Sequence, residues 1–131
     1  MFVDASALVS ILFSESDASV HRDKIDNAAS VLVSPMVIYE TTTALMRQTG
    51  KSRAEAVAVV ETMLLSSKAT VVVVDKEIGE GALVAFERFG RGRHKAGLNM
   101  GDCFAYACAK AHNVPLLFKG RDFSLTDIAV A

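Results

Sequence analysis

The 131-residue chain has no strong excess of either charge, no long apolar run and no polar or low-complexity tract. Each absence removes a class of protein. With a formal net charge of −1, the chain cannot coat itself in nucleic acid by bulk charge, so any RNA contact must use a local patch. The longest apolar runs, such as Val71 to Val74, fall far short of a membrane span, and no membrane partner is expected. The opening Met-Phe-Val-Asp lacks a basic segment followed by an apolar stretch, so we expect no signal peptide and a cytoplasmic location. Cysteine is scarce. Cys103 and Cys108 fall in one expected helix, about 140° apart around its axis, where they cannot pair with each other. Neither has a metal-binding spacing, and both read as buried free thiols. His21, His94 and His112 show no zinc-site or catalytic-triad spacing.

What is present is a chain 51% hydrophobic and 22% charged, the balance of a compact globular protein. Its length suits one domain over residues 1–131 with a real core. Short β-branched or apolar segments alternate with helical patterns. Strands are expected at Met1–Val3, Val31–Val33, Thr70–Val74 and Leu116–Phe118, with Ile128–Val130 as a short edge strand. The run Thr70–Val74 has the composition of a strand covered on both faces. Helices are expected over Ala5–Phe13 and from a cap at Ser16 or Asp17 to about Asn27. A third opens at Ser34-Pro35 and stops at Gly50, and a fourth opens at the capping box Ser52–Glu55. Asp75 caps a fifth, and Asn99–Asn113 is a sixth. The alternation implies an α/β fold with a mostly parallel central sheet and helices on both faces. Ligand sites in such sheets lie beyond the carboxyl ends of the strands.

Acidic residues fall where that rule directs attention. Asp4 follows the first strand and Asp122 follows the last, while Glu40 and Asp102 sit near the starts of two helices. Four carboxylates from four distant segments can converge at this edge. Such a cluster holds protons or recruits a cation, because like charges raise one another's pKa values. Mg²⁺ is the natural counter-ion, with its preference for hard oxygen ligands. A metal-activated water attacking phosphorus also suits a chain without a conventional nucleophile. Ser6, just past Asp4, can orient a carboxylate or phosphate. Each acid also has a plainer reading. Asp4 can simply cap a helix, Glu40 can belong to a solvated face, Asp102 can complement a helix dipole and Asp122 can be a turn residue. A basic, glycine-broken stretch, with Arg88, Arg91, Arg93, His94 and Lys95, is either the RNA patch or an ordinary solvated loop.

Four segments together resemble the PIN-domain nucleases, in particular the VapC toxins of bacterial toxin–antitoxin pairs. They are Met1-Phe-Val-Asp-Ala-Ser-Ala-Leu8, Ser34-Pro-Met-Val-Ile-Tyr-Glu40, Leu98-Asn-Met-Gly-Asp102-Cys-Phe-Ala-Tyr-Ala107 and Leu116-Leu-Phe-Lys-Gly-Arg-Asp122-Phe123. Their order and spacing agree over essentially the whole chain. The resemblance implies a PIN-like fold and an endoribonuclease using Mg²⁺ or Mn²⁺. It implies Asp4, Glu40 and Asp102 as the principal metal-site acids and Asp122 as the fourth, with Asp127 a lesser, supporting candidate. Chains of this kind often carry a second acid before the Asp-Phe pair, where this one has Arg121. Lys119 and Arg121 are then candidate phosphate contacts beside Arg91, Arg93, His94 and Lys95. The resemblance also implies a homodimer and a cognate VapB-like antitoxin that covers the acidic pocket.

Two other readings compete. A catalytically silent PIN-like RNA-binding module shares the fold, although a binder gains nothing from clustered acids. A phosphotransfer protein also uses an aspartate after a strand. The phosphatase pattern, however, needs a second aspartate where Ser6 stands, and a receiver needs an acidic pair before Asp4.

Overall fold

The computed structural model describes residues 1–131. Four two-residue strands form its sheet: β1 (Phe2–Val3), β2 (Leu32–Val33), β3 (Thr70–Val71) and β4 (Leu116–Leu117). All pair in parallel, in the order β3-β2-β1-β4. Between them run α1 (Ala5–Leu12), α2 (Ala18–Asp26), α3 (Pro35–Thr49), α4 (Arg53–Ser66), α5 (Lys76–Phe89) and α6 (Met100–Ala111). A 3₁₀ turn at Phe123–Leu125 follows β4.

The strand order decides where the helices go. From β1 to β2 to β3 the chain steps in one direction, and from β3 it returns across the sheet to β4. Right-handed crossovers therefore put α1–α4 on one face and α5–α6 on the other. Packing agrees, with α1 against α2 and α3, α3 against α4, and α5 against α6. The reversal falls between β1 and β4, which makes the carboxyl ends of these two strands the crevice of the sheet.

Local chemistry sets most helix starts. Asp4 Oδ2 accepts from Ser6 N, Ser34 Oγ from Val37 N and Asp75 Oδ1 from Ile78 N. Reciprocal capping boxes open α4 (Ser52 with Glu55) and α6 (Asn99 with Asp102). Gly50, at φ 70°, takes the left-handed turn that ends α3. The start of α2 differs from expectation: Asp17 stands at the cap position but caps nothing, because its carboxylate faces Lys119 Nζ at 3.6 Å.

The expectation of a fully covered strand at Thr70–Val74 is overturned. Only Thr70–Val71 pair as strand, both are exposed, and β3 lies at the sheet edge. Val72 alone of the run is buried. β-Branched composition favours a pleated backbone and does not say how many neighbours the strand will have. The segment Ile128–Val130 does line the opposite edge, through a parallel bridge from Val130 to Leu116. Phe2, Val3, Leu8, Val33, Val37, Leu98 and Leu116 form the centre of the core, which also contains the free thiols of Cys103 and Cys108. Burial pushes both thiols up to about 11, so they are packing groups rather than nucleophiles.

Candidate active site

Asp4 is the most confined acid of the crevice. It leaves β1 with its N–H bonded to Leu117 O of β4 at 2.9 Å, and it is only 4% exposed. Ser6 binds Oδ2 twice, through its N–H at 2.9 Å and its hydroxyl at 2.5 Å. The Ser6 hydroxyl oxygen in turn accepts from Lys119 N at 2.9 Å. The plain reading of Asp4 as a helix cap is thus true, and it does not exhaust the residue. Burial pushes the Asp4 carboxyl up even against the bonds from Ser6. A cap alone would sit at lower cost in the open.

Glu40, in the second turn of α3, is brought in by the contact between α3 and α6. Its carboxylate presses on the first turn of α6 at Gly101, where a Cβ would lie 2.1 Å from Oε1. Only a residue without a side chain leaves room for Glu40. The expectations from sequence do not include Gly101, and the signal for it is a glycine in the first turn of a helix beside an acid. Burial first, then the negative charges of Asp4 and Asp102, push Glu40 up to about 7.

Asp102 holds the third position of α6. Its Oδ2 accepts from Asn99 N at 2.8 Å while its own N–H donates to Asn99 Oδ1 at 3.0 Å. Burial, with Asp4 and Asp122 adding repulsion, pushes it up to about 6 despite the opposing Asn99 bond and the Arg91 charge. Asp122 is exposed and lies within electrostatic reach of Asp102, at the edge of the group.

Asp127 stands elsewhere. It accepts from the Tyr106 hydroxyl at 2.5 Å and pairs with Arg88 at 3.1 Å and Lys110 at 3.6 Å. Those bonds pin the C-terminal segment to α5 and α6, and Asp127 does not act on any of the clustered acids.

The basic candidates also divide. Arg91 lies close enough to Asp102 to oppose its rise. Arg93 is turned over the Phe86 ring at 5.3 Å, and His94 meets the Phe89 ring edge-on while its Nδ1 accepts from Ala96 N. Lys95 and Arg121 are exposed. The Lys119 ammonium is engaged by the carboxylates of Glu15 and Asp17 rather than left free. That pairing joins residues about a hundred positions apart, and no local signal could have revealed it.

As they stand, the acids form an open group: no three are closed around a point that would hold an ion. Their chemistry nevertheless fits a hard divalent cation. Burial raises all three carboxylates, the charges of neighbouring acids add to the rise of Glu40 and Asp102, and Arg91 is the one cation that offsets them. Asp4, Glu40 and Asp102 are the residues that would hold it.

Comparison with known proteins gives a consistent picture. The PIN-domain family model matches residues 1–129. A ribonuclease VapC of Mycolicibacterium smegmatis is 38% identical over 129 residues, covering 98% of both chains. Ribonuclease VapC30 of Mycobacterium tuberculosis is 36% identical, covering 98% of this chain and 96% of its own. Among solved structures, the sarcin–ricin-loop-cleaving toxin VapC20 of Mycobacterium tuberculosis superposes with a TM-score of 0.78 at 20% identity. That match covers 99% of this chain and 97% of the other. A toxin–antitoxin complex from Klebsiella pneumoniae superposes at 0.73 and 14% identity, over 99% and 95%. At such identities the structural matches speak for the fold.

Proposed function

The chain belongs to the PIN-domain family, among the VapC ribonucleases, and from that premise we propose that it cuts RNA phosphodiester bonds with Mg²⁺ or Mn²⁺ held by Asp4, Glu40 and Asp102. One observation carries the reading. Asp4, Glu40 and Asp102, from distant segments, lie within electrostatic reach at the crevice of the sheet. Asp4 and Asp102 add to the burial that raises Glu40, Asp4 adds to the burial that raises Asp102, burial raises Asp4 itself, and Arg91 is the one opposing cation. A fold does not maintain such repulsion for stability. Asp122 joins at the rim as the fourth acid.

The protein's own groups have separable tasks. Ser6 fixes the rotation of Asp4 and ties it to β4, which presents its carboxylate to the crevice in one orientation. The Asn99 cap does the same for Asp102. Arg91, beside Asp102, binds a phosphate oxygen of the RNA and aligns the scissile group, with Arg93, Lys95 and Arg121 further out along the backbone. Asp4, Glu40 and Asp102 would hold a divalent ion, whose chemistry there would be to activate a water and to offset charge developing on the phosphoryl oxygens.

In this reading the chain is a single-domain toxin acting in the cytoplasm as a homodimer, restrained by a VapB-like antitoxin. No helix is long and apolar enough to cross a membrane. The test is cleavage of a mixed RNA pool by antitoxin-free protein with Mg²⁺, with Mn²⁺ and with chelator, beside Asp4→Asn. Metal-dependent cutting that disappears in the variant is the expected result. Full activity in Asp4→Asn would remove the acids from the mechanism. Absence of cutting by folded protein on every RNA supplied would favour the silent RNA-binding module.

A further inference from the structure

A groove of about 510 Å³ opens beside Glu40, lined by Tyr39, Glu40, Thr43, Met46 and Arg47 of α3. Tyr39, Thr43 and Arg47 recur every four residues, so they form one row along the helix, with Glu40 in the adjacent row. From Tyr39 to Arg47 the row runs about 12 Å. Its two ends have unlike chemistry. Tyr39 is 66% exposed, and its ring stacks on no other in the protein. Arg47 is exposed and belongs to none of the ion pairs.

The other tyrosine shows what a structural one looks like here. Tyr106 is 4% exposed, lies against Phe89 and gives its hydroxyl to Asp127. Tyr39 has none of these engagements, yet it adjoins an acid of the crevice. An exposed ring and an unpaired guanidinium are what a single-stranded nucleic acid requires: a face for a base and a cation for its phosphate.

We propose that this α3 groove is a nucleotide subsite, in which an unpaired RNA base next to the cut phosphate stacks on Tyr39 while Arg47 holds the adjoining phosphate. The proposal rests on the ribonuclease reading above and names how that site holds its substrate. Glu40 lines both the groove and the acid crevice, so a strand cut among the acids continues into the groove without leaving the surface. That continuity favours the substrate over a second copy as occupant. Stacking selects unpaired nucleotides, since a base inside a duplex has no free face, and it tolerates any base identity.

The chain suits a direct test. It has two tyrosines and no tryptophan, and Tyr106 is buried, so a change in tyrosine emission on binding that Tyr39→Phe abolishes reports Tyr39. Short mixed-sequence single-stranded RNA is titrated into the protein with chelator present, so that binding is read without cleavage. We expect RNA to quench wild-type emission. Tyr39→Ala should bind about tenfold more weakly, Arg47→Ala should also weaken, and Tyr39→Phe should keep wild-type affinity without the quench. The same RNA annealed to its complement should not quench. Unchanged affinity in Tyr39→Ala, or emission indifferent to saturating RNA, overturns the proposal. So does a Tyr39→Ala protein that turns from dimer to monomer in sedimentation while each chain keeps its RNA affinity, since the groove is then a contact between copies. An active Asp4→Asn protein would defeat the nuclease chemistry alone and leave this binding readout standing.

Discussion

Helix α6 meets a cluster of acids at its start and a single, well-partnered acid along its later turns, and the two are opposites. At its start, Asp102 faces Asp4 and Glu40, and burial with mutual repulsion pushes Glu40 up to about 7 and Asp102 to about 6. Along its later turns, Tyr106 and Lys110 converge with Arg88 on the single carboxylate of Asp127. The bond from Tyr106 holds that carboxyl below its usual range, with Arg88 and Lys110 adding to it. The residue type is the same and the helix is the same, but one group is short of positive charge and the other has it in excess. A satisfied acid holds a segment in place, whereas an unsatisfied group of acids has a remaining capacity for a cation.

The largest expected effect comes from breaking the two ends separately. Asp4→Asn should lower metal-dependent cleavage by roughly 10²–10³-fold, as when a group stabilising transition-state charge is lost. Its melting temperature should stay level or rise, because the buried charge is gone. Asp127→Ala should do the reverse, keeping the cleavage rate and losing about 1–2 kcal/mol of stability, a figure discounted for the half-exposed ion pairs. Thermal melts and cleavage rates on both variants decide it, and a fallen rate in folded Asp127→Ala would erase the distinction.

Gly101→Ala sharpens the contrast from within the crevice. The added methyl meets only the flexible end of Glu40, and alanine is the better helix former, so stability should hold or improve slightly. Displacing Glu40 should nevertheless slow cleavage about tenfold, within the range for disturbed metal-site geometry. A wild-type rate would show that Glu40 need not occupy the place it has against α6.

The smallest effect is on pH. Glu40 and Asp102 hold protons in the folded chain up to about 7 and 6, against ordinary values of 4.5 and 3.8. Between those limits the folded state binds more protons than the unfolded one. Stability of the metal-free protein therefore falls as pH rises from about 4 to 7, by about 1 kcal/mol from Glu40 once its half-exposure is allowed for. Glu40→Gln should flatten that slope, and added Mg²⁺ should offset it most above pH 7, where the acids are ionised. Urea melts across the range test the sign, and a stability that rises over this window would contradict the crowding of the acids.

Much of this was legible beforehand, for local reasons. Ser34-Pro35, Gly50, the Ser52–Glu55 box and Asp75 act within a turn of their own positions, and the helices begin and end there. Asp4, Glu40 and Asp102 stand out in the sequence because Asp4 follows a strand and the other two lie in the first or second turn of a helix, and the structure brings them within electrostatic reach of one another. The rest depended on tertiary placement. The composition of Thr70–Val74 could not reveal an edge position, and nothing near Asp127 in sequence announces Arg88 or Tyr106. Sequence alone leaves Lys119 free, because its partners Glu15 and Asp17 lie about a hundred positions away.

The attachment of Asp4 to β4 has a consequence in time. Leu117 O takes the Asp4 N–H, and Lys119 N reaches Ser6, which steers the carboxylate. An acid that follows β1 is thus set by partners on and just after β4, more than a hundred residues further along. A polypeptide lengthening from its N-terminus carries Asp4 long before it has the strand that fixes it. Until β4 has been made, Asp4 lacks the partners that orient it, and a chain stopped before Leu117 holds the acids of a nuclease without their arrangement.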